Sequence, residues 1–259
     1  MIFDKNRILA CEASSNFGKK SGEIDTSVIN EDGIEIVKTV ISTKEAGKKI
    51  GREVGTYLTV CQGELYLGGE FLRDKLSRAL ARSIIELLKG FEKMPTRLLF
   101  VGLGNRELSS DKIGVCVAEA LSPISSSGKG SSLSVISTGV KALRGIEACD
   151  HVKGLIKTVG FDAVIVADAL MTTHPERLFT TVQLSDTGIT PASGVSDKGG
   201  KAMREISRKT LGVPVISVGV PTVIPFGERL YTPHTIELEI EPISKIIADG
   251  ITLALTNEA

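Results

Sequence analysis

Four short apolar runs that alternate with stretches of helical spacing constrain the fold of this chain most strongly. The runs are Leu98–Leu103, Leu133–Ser137, Ala163–Ala167 and Val213–Val220. Strands that are apolar on both faces must be covered on both faces, and their alternation with helices is typical of a parallel sheet. We therefore predict an α/β fold in which a mainly parallel open sheet is flanked by helices.

The part of the chain before this pattern has a different character. Residues 1–68 are more polar, with strand-like runs at Ile34–Ile41 and Tyr57–Val60 between turns rich in lysine and glycine. A helical pattern with one apolar stripe follows at Leu72–Leu88. We predict a β-rich N-terminal subdomain at 1–68 that packs on an α/β core at 69–259, the two forming a single structural unit.

Charge and cysteine content exclude several classes of protein. The 31 basic and 31 acidic residues balance, so no basic surface for nucleic acid or anionic membranes is indicated. No apolar run approaches membrane-spanning length and the N-terminus has no signal-peptide core, which predicts a cytoplasmic protein without a membrane partner. The four cysteines form no CxxC motif and no close pairing with the three histidines, so we expect no zinc site and no cofactor.

Two aspartates follow apolar strands. Asp168 comes directly after Ala163–Ala167, and Asp111 comes after the earlier run that ends at Leu103. Open α/β sheets place their chemistry at the carboxyl ends of strands, so we predict that both carboxylates face one cleft as a catalytic pair. Two close carboxylates share a proton, which lets one activate water while the other protonates the leaving amine or polarises the carbonyl.

Each aspartate also has a purely structural interpretation. Asp111 precedes a segment of helical spacing, where the helix dipole favours a carboxylate at the N-terminus. Asp168 has the position of a strand-end residue that caps the following loop. The sequence leaves both interpretations open beside the catalytic one.

Two glycine-containing segments are the predicted substrate-binding elements. The predicted residues are Gly102, Gly104, Asn105, Ser185, Asp186, Thr187 and Gly188. Glycine in the first segment permits close approach of a peptide carbonyl, and the third glycine of a dinucleotide fingerprint is missing. The Asp-Thr-Gly of the second segment also occurs in pepsin-like aspartic proteases, but those are all-β, so we interpret Asp186 as turn-forming or substrate-facing.

A metal site is the main alternative to a metal-free carboxylate pair. Its ligands would be Asp111 and Asp168 with Glu147 or His174, which offer oxygen and nitrogen donors. Glu147 and His174 also have ordinary interpretations, as a first-turn helix acid and a loop histidine. A chain that used these ligands would be a metal-assisted, maturation-type peptidase.

Several long segments resemble the spore germination protease family. They are VGLGNRELSSDKIG, STGVKALRGIEACDHVKGLI, AVIVADALMTTHPERLFTTVQLSDTGITPASGV and LGVPVISVGVPTVI. ILACEA near the start is similar to the family's mature N-terminus, and the likeness runs through most of the chain. The resemblance implies an atypical aspartic endopeptidase with a fold similar to hydrogenase-maturation proteases, with its catalytic pair at Asp111 and Asp168.

The same resemblance implies a biological setting. Members of the family cleave the small acid-soluble proteins that coat spore DNA, so the implied partner is a protein substrate, without direct binding to nucleic acid. They form tetramers, which implies a homo-oligomer in the cytoplasm of the spore core. They are made as precursors that shed a short N-terminal propeptide.

Three departures from the family pattern bear on regulation and substrate choice. Arg7 is followed by Ile8-Leu9-Ala10, where the family has Thr-Asp-Leu-Ala. Six residues precede Arg7, which leaves little room for a propeptide. Ile224-Pro225-Phe226 stands where the family continues with Asp-Ala. A non-catalytic, peptide-binding relative is therefore a further alternative.

Overall fold

The computed structural model describes residues 8–15, 22–61, 69–125, 131–139, 145–191, 204–227 and 229–256. Its strands are β1 (Ile24–Glu31), β2 (Ile34–Ile41), β3 (Gly55–Cys61), β4 (Arg97–Gly102), β5 (Ser132–Ser137), β6 (Ala163–Met171), β7 (Thr181–Ser185), β8 (Val215–Phe226) and β9 (Arg229–Tyr231). Its helices are α1 (Ala10–Ser15), α2 (Lys44–Ile50), α3 (Gly69–Lys89), α4 (Ile113–Ala120), α5 (Ala148–Val159), α6 (Arg208–Leu211) and α7 (Ile236–Thr256). Short 3₁₀ turns at Ser109–Asp111 and Pro175–Arg177 follow β4 and β6.

The described strands form one nine-stranded sheet in the order β1-β2-β3-β7-β8-β6-β4-β5, with β9 paired to β8. Strands β5, β4, β6 and β8 run parallel to one another. Strands β1, β2, β3 and β7 continue the sheet in antiparallel pairs. The predicted α/β fold is confirmed, and the parallel strands are the predicted apolar runs. The antiparallel part is larger than we expected, because the N-terminal strands extend the same sheet.

The N-terminal strands are joined to the rest by backbone hydrogen bonds. β3 pairs with β7 over Tyr57–Cys61, which places the polar first part of the chain at one edge of the sheet. In β2, which lies between β1 and β3, Ile34 and Ile36 are buried on one face and Val37 and Ile41 on the other, while Glu35 near its start is exposed. The division of the chain at residue 68 stays a prediction, and residues 62–68 lie outside the described ranges.

Helices cover both faces of the sheet, as the apolar strands require. On the first face, α3, α4 and α7 pack on a core that includes Leu98, Phe100 and Ile165. On the second face, α5 and α6 pack on a core that includes Leu99 and Val164. Helices α1 and α2 cover the antiparallel half on that second face. Successive residues of a strand therefore enter different cores.

Candidate active site

The sequence predicts that Asp168 follows the end of a strand at Ala167. In the structure, β6 continues to Met171, so Asp168 lies inside the strand. Val164 and Val166 face the core of the second sheet face, and Asp168 is the next residue on that face. It is 5% exposed, and its Oδ1 accepts a hydrogen bond from the backbone N–H of Ala169 at 2.9 Å. The strand thereby places a buried carboxylate after two apolar residues of the same face.

Asp168 lines a cavity of about 130 Å³ on the second sheet face. Neighbouring strands β6, β7 and β8 form its floor with alternate residues: Asp168, Gln183, Ser185, Ser217 and Gly219. The register places Gly219 between Asp168 and Gln183. A Cβ at Gly219 would overlap the side chain of Leu170, so glycine leaves the necessary space at this position.

A chain of hydroxyl groups runs across this floor. The Oγ atoms of Ser185 and Ser217 are 2.7 Å apart, and Ser185 Oγ is 3.0 Å from Thr187 Oγ1. The Thr187 hydroxyl also lies beside the Tyr57 phenol and lowers its pKa, against the larger effect of burial. The Tyr57 phenol donates to the backbone carbonyl of Glu53 at 2.9 Å. Hydroxyls from three strands and one loop are therefore linked in a single line.

Charged side chains complete the cavity wall. Helix α2 ends at Gly51, whose left-handed backbone (φ 69°) donates its N–H to the Gly47 carbonyl. Arg52 and Glu53 follow this turn and line the cavity. Glu205 lines it as well, and its burial together with the nearby Glu53 carboxylate raises its pKa. A ligand in the cavity would meet charges of both signs.

Asp111 lies in the 3₁₀ turn between β4 and α4. Its Oδ2 and its carbonyl oxygen both accept hydrogen bonds from the backbone N–H of Asn105, at 2.9 and 3.1 Å. The turn packs against β6 and β8, and Thr222 of β8 donates to the Ser110 carbonyl at 2.7 Å. The fold therefore brings Asp111 to the strand that carries Asp168, although Asp111 is not among the described residues that line the cavity.

The first predicted substrate-binding segment holds the Asp111 turn. Asn105 supplies the N–H described above, and a Cβ at Gly104 (φ 114°) would overlap the Asp111 carbonyl oxygen. At Gly102 a Cβ would overlap the carbonyl oxygen of Gly114 in α4. Close backbone approach thus accounts for both glycines. Substrate contact by Gly102, Gly104 and Asn105 stays a prediction.

The second predicted segment reaches the cavity in part. Ser185, Thr187 and Gly188 line it. The Asp186 carboxylate instead accepts a hydrogen bond from the backbone N–H of Thr56 at 2.8 Å, and burial raises its pKa. This bond fits the turn-forming interpretation of Asp186. Substrate contact stays a prediction for all four residues of the segment.

The residues of the metal alternative have other partners. Glu147 precedes α5 and pairs with Arg204 at 3.3 Å, and His174 Nδ1 lies 3.1 Å from Glu176 Oε1. Within the described ranges, no group of three or more histidine, cysteine, aspartate or glutamate residues is arranged to hold a metal ion. The four predicted ligands are therefore not assembled into a metal site in this part of the chain.

Glu12, a buried carboxylate on α1, is not among the residues predicted from the sequence. It accepts hydrogen bonds from Thr172 Oγ1 at 2.5 Å and from the N–H and hydroxyl of Thr173 at 3.0 and 2.9 Å. It also lies 3.6 Å from Arg177 Nη1. Since Thr172 and Thr173 directly follow β6, Glu12 ties α1 to the chain that leaves the Asp168 strand. The sequence feature that could have identified Glu12 is that it is the single acidic residue in the otherwise apolar segment ILACEA.

Replacing Glu12 by glutamine is expected to lower the free energy of unfolding by about 2–4 kcal/mol. The amide has the same size, but it removes the charge opposite Arg177 and turns an NH₂ group toward donors. Chemical denaturation measures the difference. The control is Glu92→Gln, since Glu92 pairs with Arg208 at an exposed site and should leave stability unchanged within error. Equal effects of the two substitutions would contradict the structural role of Glu12.

Tyr57 is expected to make stability fall at alkaline pH. Burial raises the pKa of its phenol to about 12. The unfolded phenol ionises near pH 10 while the folded one stays neutral up to about 12, so the folded state loses stability as the pH rises through this window. Tyr57→Phe should show a smaller decrease in unfolding free energy there, and Tyr231→Phe, at a half-exposed site, should behave as wild type. A Tyr57→Phe protein with the wild-type pH dependence would refute this explanation.

Comparison with protein families gives a match over most of the chain. Residues 7–228 match the family model described as germination protease.

None of the helices in the described ranges has the length and apolar character needed to cross a bilayer.

Named relatives are similar over the same region. The germination protease of Caldanaerobacter subterraneus subsp. tengcongensis is 36% identical over 225 residues, which cover 83% of this chain and 67% of the relative. That of Geobacillus sp. is 36% identical over 229 residues, covering 85% and 60%. That of Bacillus pumilus is 36% identical over 226 residues, covering 78% and 59%. The chain thus spans about three fifths of the length of the last two relatives.

Similarity to solved structures is more distant. The [NiFe] hydrogenase maturation protease HycI from Thermococcus kodakarensis KOD1 aligns with a TM-score of 0.42 and 19% identity, over 66% of this chain and 99% of that one. The hydrogenase maturating endopeptidase HybD from E. coli aligns with a TM-score of 0.34 and 20% identity, over 63% and 94%. The family model and the 36% identity of the named relatives, in contrast, extend over most of the chain, which therefore belongs to the germination protease family, a family of peptidases.

Proposed function

We propose that this chain is an endopeptidase that hydrolyses small acid-soluble spore proteins during germination, with Asp168 and Asp111 as its catalytic pair. The observation that carries the proposal is a buried carboxylate, Asp168, that lines a polar cavity in a member of a peptidase family. The family resemblance supplies the substrate class. The same resemblance is the basis for proposing that the protein is a homotetramer and that it is located in the spore core.

Asp168 is the proposed general base. Its carboxylate lies within the sheet surface, so a water molecule in the cavity would meet it with little competition from bulk solvent. As the water oxygen attacks the scissile carbonyl carbon, one water proton passes to Asp168. When the C–N bond breaks, that proton passes to the leaving nitrogen, which restores the carboxylate.

Asp111 is the proposed acid partner. Its turn packs against β6 and β8, which supports a position near the same scissile bond. In the protonated form it donates to the carbonyl oxygen during attack and recovers the proton as the new carboxyl group forms. Two neighbouring carboxylates that share one proton provide these complementary states. The net reaction consumes one water and releases an acid and an amine.

The substrate would bind along the cavity as an extended peptide. Ser185, Thr187 and Gly188 offer hydroxyl and backbone groups on the side of β7. Arg52 and Glu205 offer charges to substrate side chains on the wall. Holding the scissile bond against the aspartates in this way would supply the proximity that peptide hydrolysis requires.

Incubation of the purified chain with a small acid-soluble spore protein tests the proposal, with mass spectrometry to locate the cut. We expect cleavage at defined sites, unchanged by EDTA and lost in Asp111→Asn and Asp168→Asn. Cleavage that EDTA abolishes would support the metal-assisted alternative. Binding of the substrate without cleavage, by a folded wild-type protein, would support a non-catalytic relative.

A further inference from the structure

Ser217 is a polar residue in the apolar strand β8, on the same sheet face as Asp168. In the parallel register of β6 and β8, Gly219 lies beside Asp168 and Ser217 lies beside Val166. Residues two apart on a strand share a face, so Ser217 is the diagonal neighbour of Asp168. Both line the cavity, and Ser217 is only 7% exposed. Gly219, the residue of β8 nearest to both, has no side chain of its own, and the Leu170 side chain packs over it.

Tyr57 fixes the direction of the hydroxyl chain, because each hydroxyl has one proton to donate. The Tyr57 phenol gives its proton to the Glu53 carbonyl, so the neighbouring Thr187 hydroxyl can only donate to it, which agrees with the lowering effect of Thr187 on the phenol pKa. Thr187 has then used its proton and accepts from Ser185. Ser185 in turn accepts from Ser217, 2.7 Å away.

Ser217 stands at the end of this chain and presents only lone pairs to the cavity. Its single proton is directed at Ser185, so a group in the cavity must donate to Ser217 in order to bond with it. The cavity of about 130 Å³ has room for a few water molecules. A water between Ser217 and the Asp168 carboxylate would find one acceptor for each of its two protons.

We propose that Ser217 binds the attacking water, accepting one of its hydrogen bonds while Asp168 accepts the other. Both water protons are then held on the protein side, and a lone pair of the water oxygen is left for the carbonyl carbon. Asp168 takes its proton during attack, and no proton passes through Ser217. The catalytic consequence rests on the proposed peptidase function, whereas the water site itself does not.

Ser217→Ala is expected to lower kcat about 10- to 100-fold, the value of one hydrogen bond to the reacting water, and to leave KM unchanged. KM should not change because Ser217 contacts the water and not the substrate. Ser217→Thr keeps the hydroxyl and should restore kcat to within about threefold of wild type. The matched control is Ser134→Ala on the exposed side of β5, which should change neither constant. Wild-type kcat in Ser217→Ala, or equal losses in the alanine and threonine variants, would overturn the proposal.

A crystal structure of the full chain tests the water site without reference to activity. We expect an ordered water within about 3.2 Å of both Ser217 Oγ and an Asp168 carboxylate oxygen, lost in Ser217→Ala. Absence of this water from a well-ordered wild-type cavity would overturn the proposal even in an active protein. Its presence in a protein that cleaves no spore protein would uphold the water site and count against the proposed function.

Discussion

Asp168→Asn is expected to lower the rate of peptide cleavage about 10²- to 10⁴-fold, the usual contribution of a general base. Asparagine has nearly the same shape as aspartate, but its amide does not take a proton from water at neutral pH. The strand bonds of β6 use backbone groups and are unaffected by the change. The variant should therefore remain folded, and the loss should appear in kcat.

The control for this substitution is on the segment that leads into the same strand. Asp162 lies just before β6, where its carboxylate accepts hydrogen bonds from the backbone N–H groups of Thr96 and Arg97 at 3.0 and 2.9 Å. Asp162→Asn makes the same chemical change away from the cavity, so it should weaken stability and spare turnover. Cleavage rates and circular dichroism spectra of the two variants measure both effects. An Asp168→Asn protein with wild-type turnover would remove Asp168 from the mechanism.

The parallel half of the sheet was predictable from the sequence because β4, β6 and most of β8 are buried on both faces, whereas the edge strand β5 is partly exposed. Runs such as Leu98–Leu103 and Ala163–Ala167 are apolar at every position, and no other arrangement covers them as well. The antiparallel half gives a weaker signal, since β1 is mostly exposed and β7 has only five residues. The antiparallel half joins the same sheet through the pairing of β3 with β7. These two strands are far apart in sequence, so no local pattern predicts that they pair.

The candidate site was predictable only where one residue contradicts its local pattern. Asp168 is such a residue, a charge in a buried strand, and Ser217 gives the same signal more weakly in β8. Arg52, Glu53 and Glu205 carry no local signal, because they meet only when the loops after α2 and before α6 fold over the sheet. Their place at the cavity is a property of the tertiary structure.

Asp111 lies in a different local structure from the one that the sequence predicts. The sequence places Asp111 at the N-terminus of a helix, but α4 begins at Ile113, and Asp111 belongs to the preceding 3₁₀ turn. The Asn105 N–H, which donates to both the carbonyl oxygen and the Oδ2 of Asp111, holds the turn in this geometry. The glycines of the same loop allow its backbone to lie close to other parts of the chain, such as the Asp111 carbonyl. From the sequence we had expected a bound peptide to make this close approach.

Gly104→Ala is expected to displace the Asp111 turn and to reduce cleavage at least about 10²-fold, because a misplaced catalytic group loses the benefit of orientation. The backbone at Gly104 has φ 114°, which side chains other than hydrogen rarely tolerate, and the added Cβ would overlap the Asp111 carbonyl oxygen. To avoid this overlap, the Asp111 turn must move away, which breaks the hydrogen bonds that the Asn105 N–H donates to Asp111. We also expect a decrease of about 2–4 kcal/mol in the free energy of unfolding, from strain and lost bonds together.

Gly212→Ala separates backbone strain from displacement of Asp111. Gly212 also has a positive φ, 79°, but a Cβ there meets nothing within 4 Å. Its substitution should therefore cost about 1 kcal/mol of stability and leave cleavage unchanged. Activities are compared at a temperature at which denaturation curves show all proteins folded. If Gly104→Ala then cleaves as fast as Gly212→Ala, the position of Asp111 does not control the reaction, and the acid partner of Asp168 must be a different residue.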